Sequence, residues 1–247
     1  MKERIIFWIK EYVKKSRAKG VVLGLSGGLD SSVVGVLCRK ALGRNKVLAL
    51  ILPCHSEKKD IKDALFLAKR FDINTRLIDL SGIYDNFIKL LPCADKITLA
   101  NLKVRLRMVV LYYFANKLNY LVCGTSNKSE LMTGYFTKFG DGASDMLPIG
   151  DLLKSQVKEL AKELNIPQAI IDKIPSAGLW LGQTDEKELG VSYHELDMIL
   201  EKLERKKRPL LPKDKVDKVK EKIRFSEHKR RLPEICFIKK WRWNKDG

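Results

Sequence analysis

The sequence predicts an α/β protein, a doubly wound parallel sheet with helices on both faces. Three observations lead there. Short apolar runs alternate with amphipathic stretches at the spacing of βαβ units. The runs are continuously apolar, the pattern of parallel strands covered on both sides. A glycine-rich turn joins the first run to the stretch that follows, as where a strand feeds a helix over an anion site.

Residues 1–17 carry Ile5, Ile6, Ile9 and Val13 on one face and read as an amphipathic helix ended by Gly20. Residues 21–25 are the first strand, followed by a Ser/Gly loop and a helix over about 30–41. Residues 46–52 are the second strand, closed by Pro53. A helix over 57–71, a strand over 75–80 and a helix near 83–91 follow. A long helix over 98–118 leads into a fourth strand at 120–124. Next comes a loop-rich stretch with Gly134, Gly140, Gly142 and Gly150. Residues 152–164 are helical and stop before Pro167. Residues 174–190 form a second long loop, and helices over 192–204 and 213–224 close the series. No repeat or composition break divides the chain. Residues 1–247 therefore read as a single domain with a basic helical appendage over about 201–247.

Composition narrows the function classes. Hydrophobic residues make up 45% and charged residues 32%, too much apolar material for a disordered chain. The longest apolar runs are strand-sized, and the N-terminus lacks a signal-peptide core, so a soluble cytoplasmic protein with no membrane partner is expected. Five cysteines at wide spacing, without a CxxC, argue against a disulfide scaffold, a zinc ribbon or a thioredoxin-type pair. The net charge of +18 points to anionic partners. Residues 201–247 hold 18 Lys+Arg against 8 Asp+Glu. That excess suits a solvated Lys-rich helical surface as well as nucleic acid, and nucleic acid is not the expected partner.

The sharpest motif is Gly24-Leu25-Ser26-Gly27-Gly28-Leu29-Asp30-Ser31-Ser32. Its backbone N–H groups, with the open donors of the next helix, make an anion cradle. It lacks the Gly-Lys-Ser/Thr ending of a Walker A loop, and its glycines do not fit GxGxxG. Four later segments narrow the substrate. Arg105 and Arg107 face different ways on a helix, so that one can be buried with an anion while the other is surface. The stretch from Gly124 to Asp145 follows the fourth strand at the carboxyl edge of the sheet. It gathers Glu130, Asp141 and Asp145, carboxylates that beside a phosphate loop suit Mg²⁺. Lys154 opens a helix where a cation could neutralise phosphate charge. Residues 174–190, with Pro175, Gly178 and an exposed Trp180, read as a water-excluding lid. His228-Lys229-Arg230-Arg231 is a compact basic cluster.

The loop resembles the SGGxDS pyrophosphate loop of ATP pyrophosphatases. Together with GTSNKSE–TGYFTKFGDGASD, PSAGLW–GQTDEKELG and the HKR ending, it makes the chain similar to the NAD synthetase family, ammonia-dependent type, from about residue 5 to 235. The resemblance implies an adenine nucleotide alpha-hydrolase-like fold. It implies a carbon–nitrogen ligase that adenylates nicotinic acid adenine dinucleotide (deamido-NAD) with ATP. Ammonia then releases NAD and AMP, after pyrophosphate has left. By the same resemblance Gly24, Leu25, Ser26, Gly27, Gly28, Leu29, Asp30 and Ser31 bind the triphosphate, with Thr125, Lys154 and Ser176 as further ATP contacts. Ser176 stands where many relatives have Thr, and the hydroxyl is kept. Asp30 and Glu130 hold Mg²⁺. Arg105, Lys138, Asp145, His228 and Lys229 bind deamido-NAD. Asp30, Lys154 and Asp141 carry the catalytic roles, Asp141 being associated with Mg²⁺ or ammonia.

The resemblance further implies a homodimer. The apolar face of helix 1–17 and the helix bearing Met108, Val109, Leu111 and Tyr112 are candidate interfaces, or equally parts of the core. At 247 residues there is no room for the glutaminase domain of glutamine-dependent relatives, so free ammonia is the expected donor, and a separate glutaminase partner stays open. The rival reading is a tRNA-modifying adenylating enzyme of the same superfamily. It calls for catalytic cysteines or a zinc site, and Cys54-His55 after a buried strand reads as incidental. A nucleotide-binding regulator without chemistry would show a broken loop or missing carboxylates, and Asp30, Glu130 and Lys154 are all present.

Overall fold

A computed structural model describes residues 1–180, 182–236 and 238. The far end of the basic appendage, residues 239–247, lies outside the described residues. Four parallel strands, β1 (Gly20–Gly24), β2 (Val47–Ile51), β3 (Asn74–Leu77) and β4 (Tyr120–Val122), run in the order β3-β2-β1-β4. Val21 pairs with Val47 on one side and with Leu121 on the other. A parallel bridge from Cys123 to Met146 extends the β4 edge. The strand order reverses between β1 and β4, and ligands of doubly wound sheets bind at that switch point.

The continuous apolar runs explain the two covered faces. Val21, Leu23 and Leu25 point one way, into a core with α1 (Lys2–Lys15), α2 (Leu29–Leu42), α3 (Lys58–Arg70) and α7 (Lys154–Glu163). Val22, Leu50 and Val122 point the other way, onto α4 (Ser81–Leu90) and α5 (Lys96–Leu118). Fully burying one such side chain contributes about 1.5–3 kcal/mol. Asp95 caps α5 by accepting from the Thr98 N–H, which starts that helix two residues before the predicted 98. Asn119, left-handed at φ 54°, ends it.

The candidate interface face of α1 is core: Ile9 and Val13 are buried against α2, because that helix covers an otherwise open flank of it. The exposed side of α1 carries Phe7 and Trp8, and α5 exposes Val109 and Tyr113.

The two long loops hold short helices that apolar periodicity does not reveal. These are α6 (Lys128–Thr133) and α9 (Asp185–Leu189), with α8 (Gln168–Ile171) between them. Helix α6 is fixed by a capping box: the Asn127 side chain accepts from Glu130 N, and Glu130 accepts from Asn127 N. Gly134 ends it at φ 67°, where a Cβ would sit 2.1 Å from that of Ser226. Helices α10 (Tyr193–Glu204) and α11 (Lys213–Phe225) pack around a third cluster with Leu189, Leu196 and Val219, which joins the body through Leu153. No helix among the described residues is long and apolar enough to cross a membrane.

Candidate active site

A cleft of about 2010 Å³ opens at the carboxyl ends of β1, β2 and β4. Its floor is the loop from β1 to α2. Gly27 sits at φ 79°, and a Cβ there would lie 2.3 Å from the Asp60 carbonyl oxygen, so only glycine lets the loop pack on α3. Gly28 begins α2, and no side chain caps that helix start. The Ser26 and Ser31 hydroxyls are 3.0 Å apart, and the Gly28 N–H donates to Ser26 Oγ at 3.2 Å. Backbone donors and hydroxyls thus converge in one small bowl, a polar lining suited to phosphate oxygens.

Beside the bowl stands a buried charge cluster. Lys154 Nζ contacts Asp30 Oδ2 and lies 3.4 Å from Glu130 Oε1. Asp30 Oδ1 also accepts from Asn127 Nδ2 at 3.1 Å. Asp185, 4% exposed, accepts from the hydroxyls of Tyr135 and Tyr193, each at 3.0 Å. Two carboxylates therefore contact one ammonium, and the Asp185 charge acts on it from farther away. Burial, and then Asp30, push Glu130 up to about 8. Burial opposes the charge on Lys154, but Asp30 and Glu130 outweigh it and hold the lysine above its ordinary value. Burial and the neighbouring carboxylates raise Tyr193 and Tyr135, which stay protonated donors.

The excess negative charge fits a divalent cation. Among the described residues no three His, Cys, Asp or Glu side chains converge to hold one alone. That donor set matches Mg²⁺, which takes one or two carboxylates and completes its shell with phosphate and water.

Lys154 is positioned from behind. Buried Asp197 on α10 accepts from Ser129 Oγ at 2.6 Å and from Ser155 N at 2.8 Å. Ser129 Oγ in turn accepts from Lys154 N at 3.0 Å. A carboxylate at the start of α7 also complements the helix dipole.

The remaining expected site residues divide. Thr125, Ser176, Asp141 and Lys229 line the cleft. Asp141 is open to cleft solvent but enclosed by protein on most sides; burial raises its pKa, against the Thr137 N–H that it accepts at 2.7 Å. Lys229 donates to the Gly134 and Phe136 carbonyls at 2.8 and 3.0 Å. Arg105, Lys138 and His228 gather in a separate cluster outside the cleft lining. Arg105 donates to the Lys138 carbonyl at 3.3 Å, and Lys138 to the His228 carbonyl at 2.5 Å. Asp145 joins neither group. Its carboxylate accepts from Val122 N at 2.7 Å and from the Tyr112 hydroxyl at 3.3 Å, and so holds the strand edge.

Of the arginine pair, Arg105 is exposed and Arg107 half-buried. Arg107 donates to the Leu52 carbonyl at 3.0 Å and to Ser56 Oγ at 3.3 Å, and lines the cleft. Trp180 is half-buried, contrary to the exposed position expected. Lys96 Nζ lies 4.3 Å from its ring centroid, and Lys103 donates to the neighbouring Leu179 carbonyl at 3.0 Å. His55 lines the cleft and lies 2.7 Å from Asp85.

Sequence reasoning missed Asn127, Asp185, Tyr193, Asp197 and Lys173. Only Asn127 had a local signal, the Asn-x-x-Glu capping pattern. The others act through tertiary contacts.

Comparison with known proteins bears on this cleft. The chain matches the NAD synthase family over residues 1–233. It is 47% identical over 239 residues to the NH(3)-dependent NAD(+) synthetase of Archaeoglobus fulgidus, covering 96% of each chain. It is 48% identical over 242 residues to that of Methanocaldococcus jannaschii, covering 93% of each. Among solved structures, the NH3-dependent NAD synthetase of Campylobacter jejuni superposes with a TM-score of 0.84 at 37% identity, over 96% of this chain and 97% of that one. The NMN synthetase of Francisella tularensis gives a TM-score of 0.88 at 38% identity, over 95% and 96%.

Proposed function

Because the chain belongs to the NAD synthase family, we propose that its cleft amidates deamido-NAD with ammonia, using ATP and releasing NAD, AMP and pyrophosphate. The protein is a ligase that forms a carbon–nitrogen bond. The observation that carries the mechanistic reading is Lys154, shared between Asp30 of the glycine-rich loop and Glu130 beyond β4.

A nicotinic carboxylate oxygen attacks the α-phosphorus of ATP, and the bond from that phosphorus to the bridging oxygen of pyrophosphate breaks. The loop N–H groups and Ser26 hold the departing pyrophosphate, and the Lys154 ammonium offsets its growing charge. Asp30 and Glu130 would hold Mg²⁺, which supplies charge neutralisation of the phosphates when bound. Ammonia nitrogen then attacks the acyl carbon, and the carbon–oxygen bond to AMP breaks. Asp141, open to the cleft, is placed to take up a proton from the attacking nitrogen. The lid segment around Ser176 and Trp180 keeps water from the mixed anhydride. Arg105, Lys138, Asp145, His228 and Lys229 stay assigned to deamido-NAD.

Exposed Phe7, Trp8, Val109 and Tyr113 support a homodimer. Completing the reading are a single catalytic domain over 1–247 with a basic helical end, and a cytoplasmic location. The likeness to a protein named for NMN synthesis gives a second acceptor, nicotinic acid mononucleotide, which carries the same carboxylate. The 47% and 48% identity to the NAD(+) synthetases of Archaeoglobus fulgidus and Methanocaldococcus jannaschii supports the dinucleotide. The tRNA-modifying alternative is not favoured by relatives that match across the chain.

Deamido-NAD labelled with ¹⁸O in its carboxylate tests the adenylation step. One labelled oxygen is expected in AMP and none in pyrophosphate. Labelled inorganic phosphate, or unlabelled AMP, would contradict attack at the α-phosphorus.

A further inference from the structure

Lys173 reaches into the wall of the cleft from the chain just ahead of the lid. Its Nζ is 2.6 Å from Asp60 Oδ1, 2.9 Å from Asp63 Oδ2 and 3.3 Å from the Gly27 carbonyl oxygen. All three charged side chains are about three-quarters buried. Asp60 meets the lid as well, because a Cβ on Gly178 would lie 3.6 Å from Asp60 Oδ2. Four segments therefore join here: the glycine-rich loop, the first two turns of α3, the chain just after α8 and the lid.

Two consequences follow for a loop that receives a polyphosphate. Two carboxylates beside it would repel the ligand, and Lys173 is the cation that they share. The second is geometric. In a trans peptide the carbonyl and the next N–H point opposite ways. Lys173 holds the Gly27 carbonyl on the α3 side, so the Gly28 N–H faces into the loop, where it reaches Ser26 Oγ at 3.2 Å. From this geometry we infer that Lys173, with Asp60 and Asp63, anchors the lid to the glycine-rich loop and is a positioning residue for the triphosphate of ATP. The inference rests on reading the cleft as an ATP site.

The test uses the full chain with Mg²⁺ and α,β-methylene-ATP, whose α–β link cannot be cleaved. Calorimetric Kd values would be compared for wild type, K173M and K173R, beside the KM for ATP and for deamido-NAD. K173M is expected to weaken analogue binding about tenfold by leaving two carboxylates, each about three-quarters buried, unpaired. The ATP KM rises in step while the deamido-NAD KM stays within about twofold. K173R, which keeps the charge and the donors, restores most of the affinity. Where K173M is too unstable to purify, K173Q gives the same readout with an amide donor and no charge. Wild-type affinity in a folded K173M or K173Q overturns the anchor, as does a lowered kcat with both KM values unchanged. Failure of the wild-type protein to bind the analogue would instead sink the ATP-site reading.

Discussion

Replacing Lys154 with Met is expected to lower kcat by on the order of 10³, because a buried cation aimed at developing phosphate charge is lost. Lys154 is only 9% exposed at its side chain and touches both Asp30 and Glu130. Methionine fills much of the same volume, so the loss is electrostatic before it is steric. The variant also leaves Asp30, Glu130 and Asp185 without their shared cation, which destabilises the fold by about 3 kcal/mol or more.

That destabilisation should depend on pH. Burial raises Glu130 from 4.5 to about 8 in the folded chain. Between those values the folded state keeps a proton that the unfolded state has released, so stability falls as pH rises through the window. Without Lys154 the folded value climbs further, because the lysine is what pulls it down. Thermal melts at low and high pH, without divalent cations, are therefore expected to show a larger deficit for the variant at the higher pH. Equal deficits would mean that Lys154 does not pull the Glu130 pKa down.

Asp30→Asn is the second large effect. Asp30 stands in the first turn of α2 and bonds both Lys154 and Asn127. The amide keeps the shape but removes the charge that would hold Mg²⁺ against the departing pyrophosphate. Turnover should fall about 10²-fold or more. ATP binding should suffer less, because the loop N–H groups are untouched. The Mg²⁺ concentration for half-maximal rate should rise. An unchanged kcat and an unchanged Mg²⁺ requirement would contradict the assignment of Asp30 to the metal.

The strands and the glycine-rich loop were legible because their signals are local. Val21–Leu25 is apolar on both faces, and the structure buries both. The loop sits where strand meets helix, and its glycines have the freedom that the turn needs. Other features were not legible for equally physical reasons. Helices α6, α8 and α9 are four to six residues long, too short to show an amphipathic period, and caps and tertiary contacts hold them. Asp185 looks like one charge in a polar run, and only the fold buries it against Tyr135 and Tyr193. Lys173 and Asp60 are far apart in sequence, and nothing in either segment marks the pair. Asp145 shows the converse: a carboxylate in a functional stretch that the backbone of β4 also uses.

The deciding measurement is NAD formation from deamido-NAD, ATP and Mg²⁺, run with ammonium and, separately, with glutamine. Nicotinic acid mononucleotide serves as a competing acceptor. The expected result is NAD with ammonium, none with glutamine, and a higher kcat/KM for the dinucleotide than for the mononucleotide. No NAD with ammonium, from protein that still binds ATP, would contradict it.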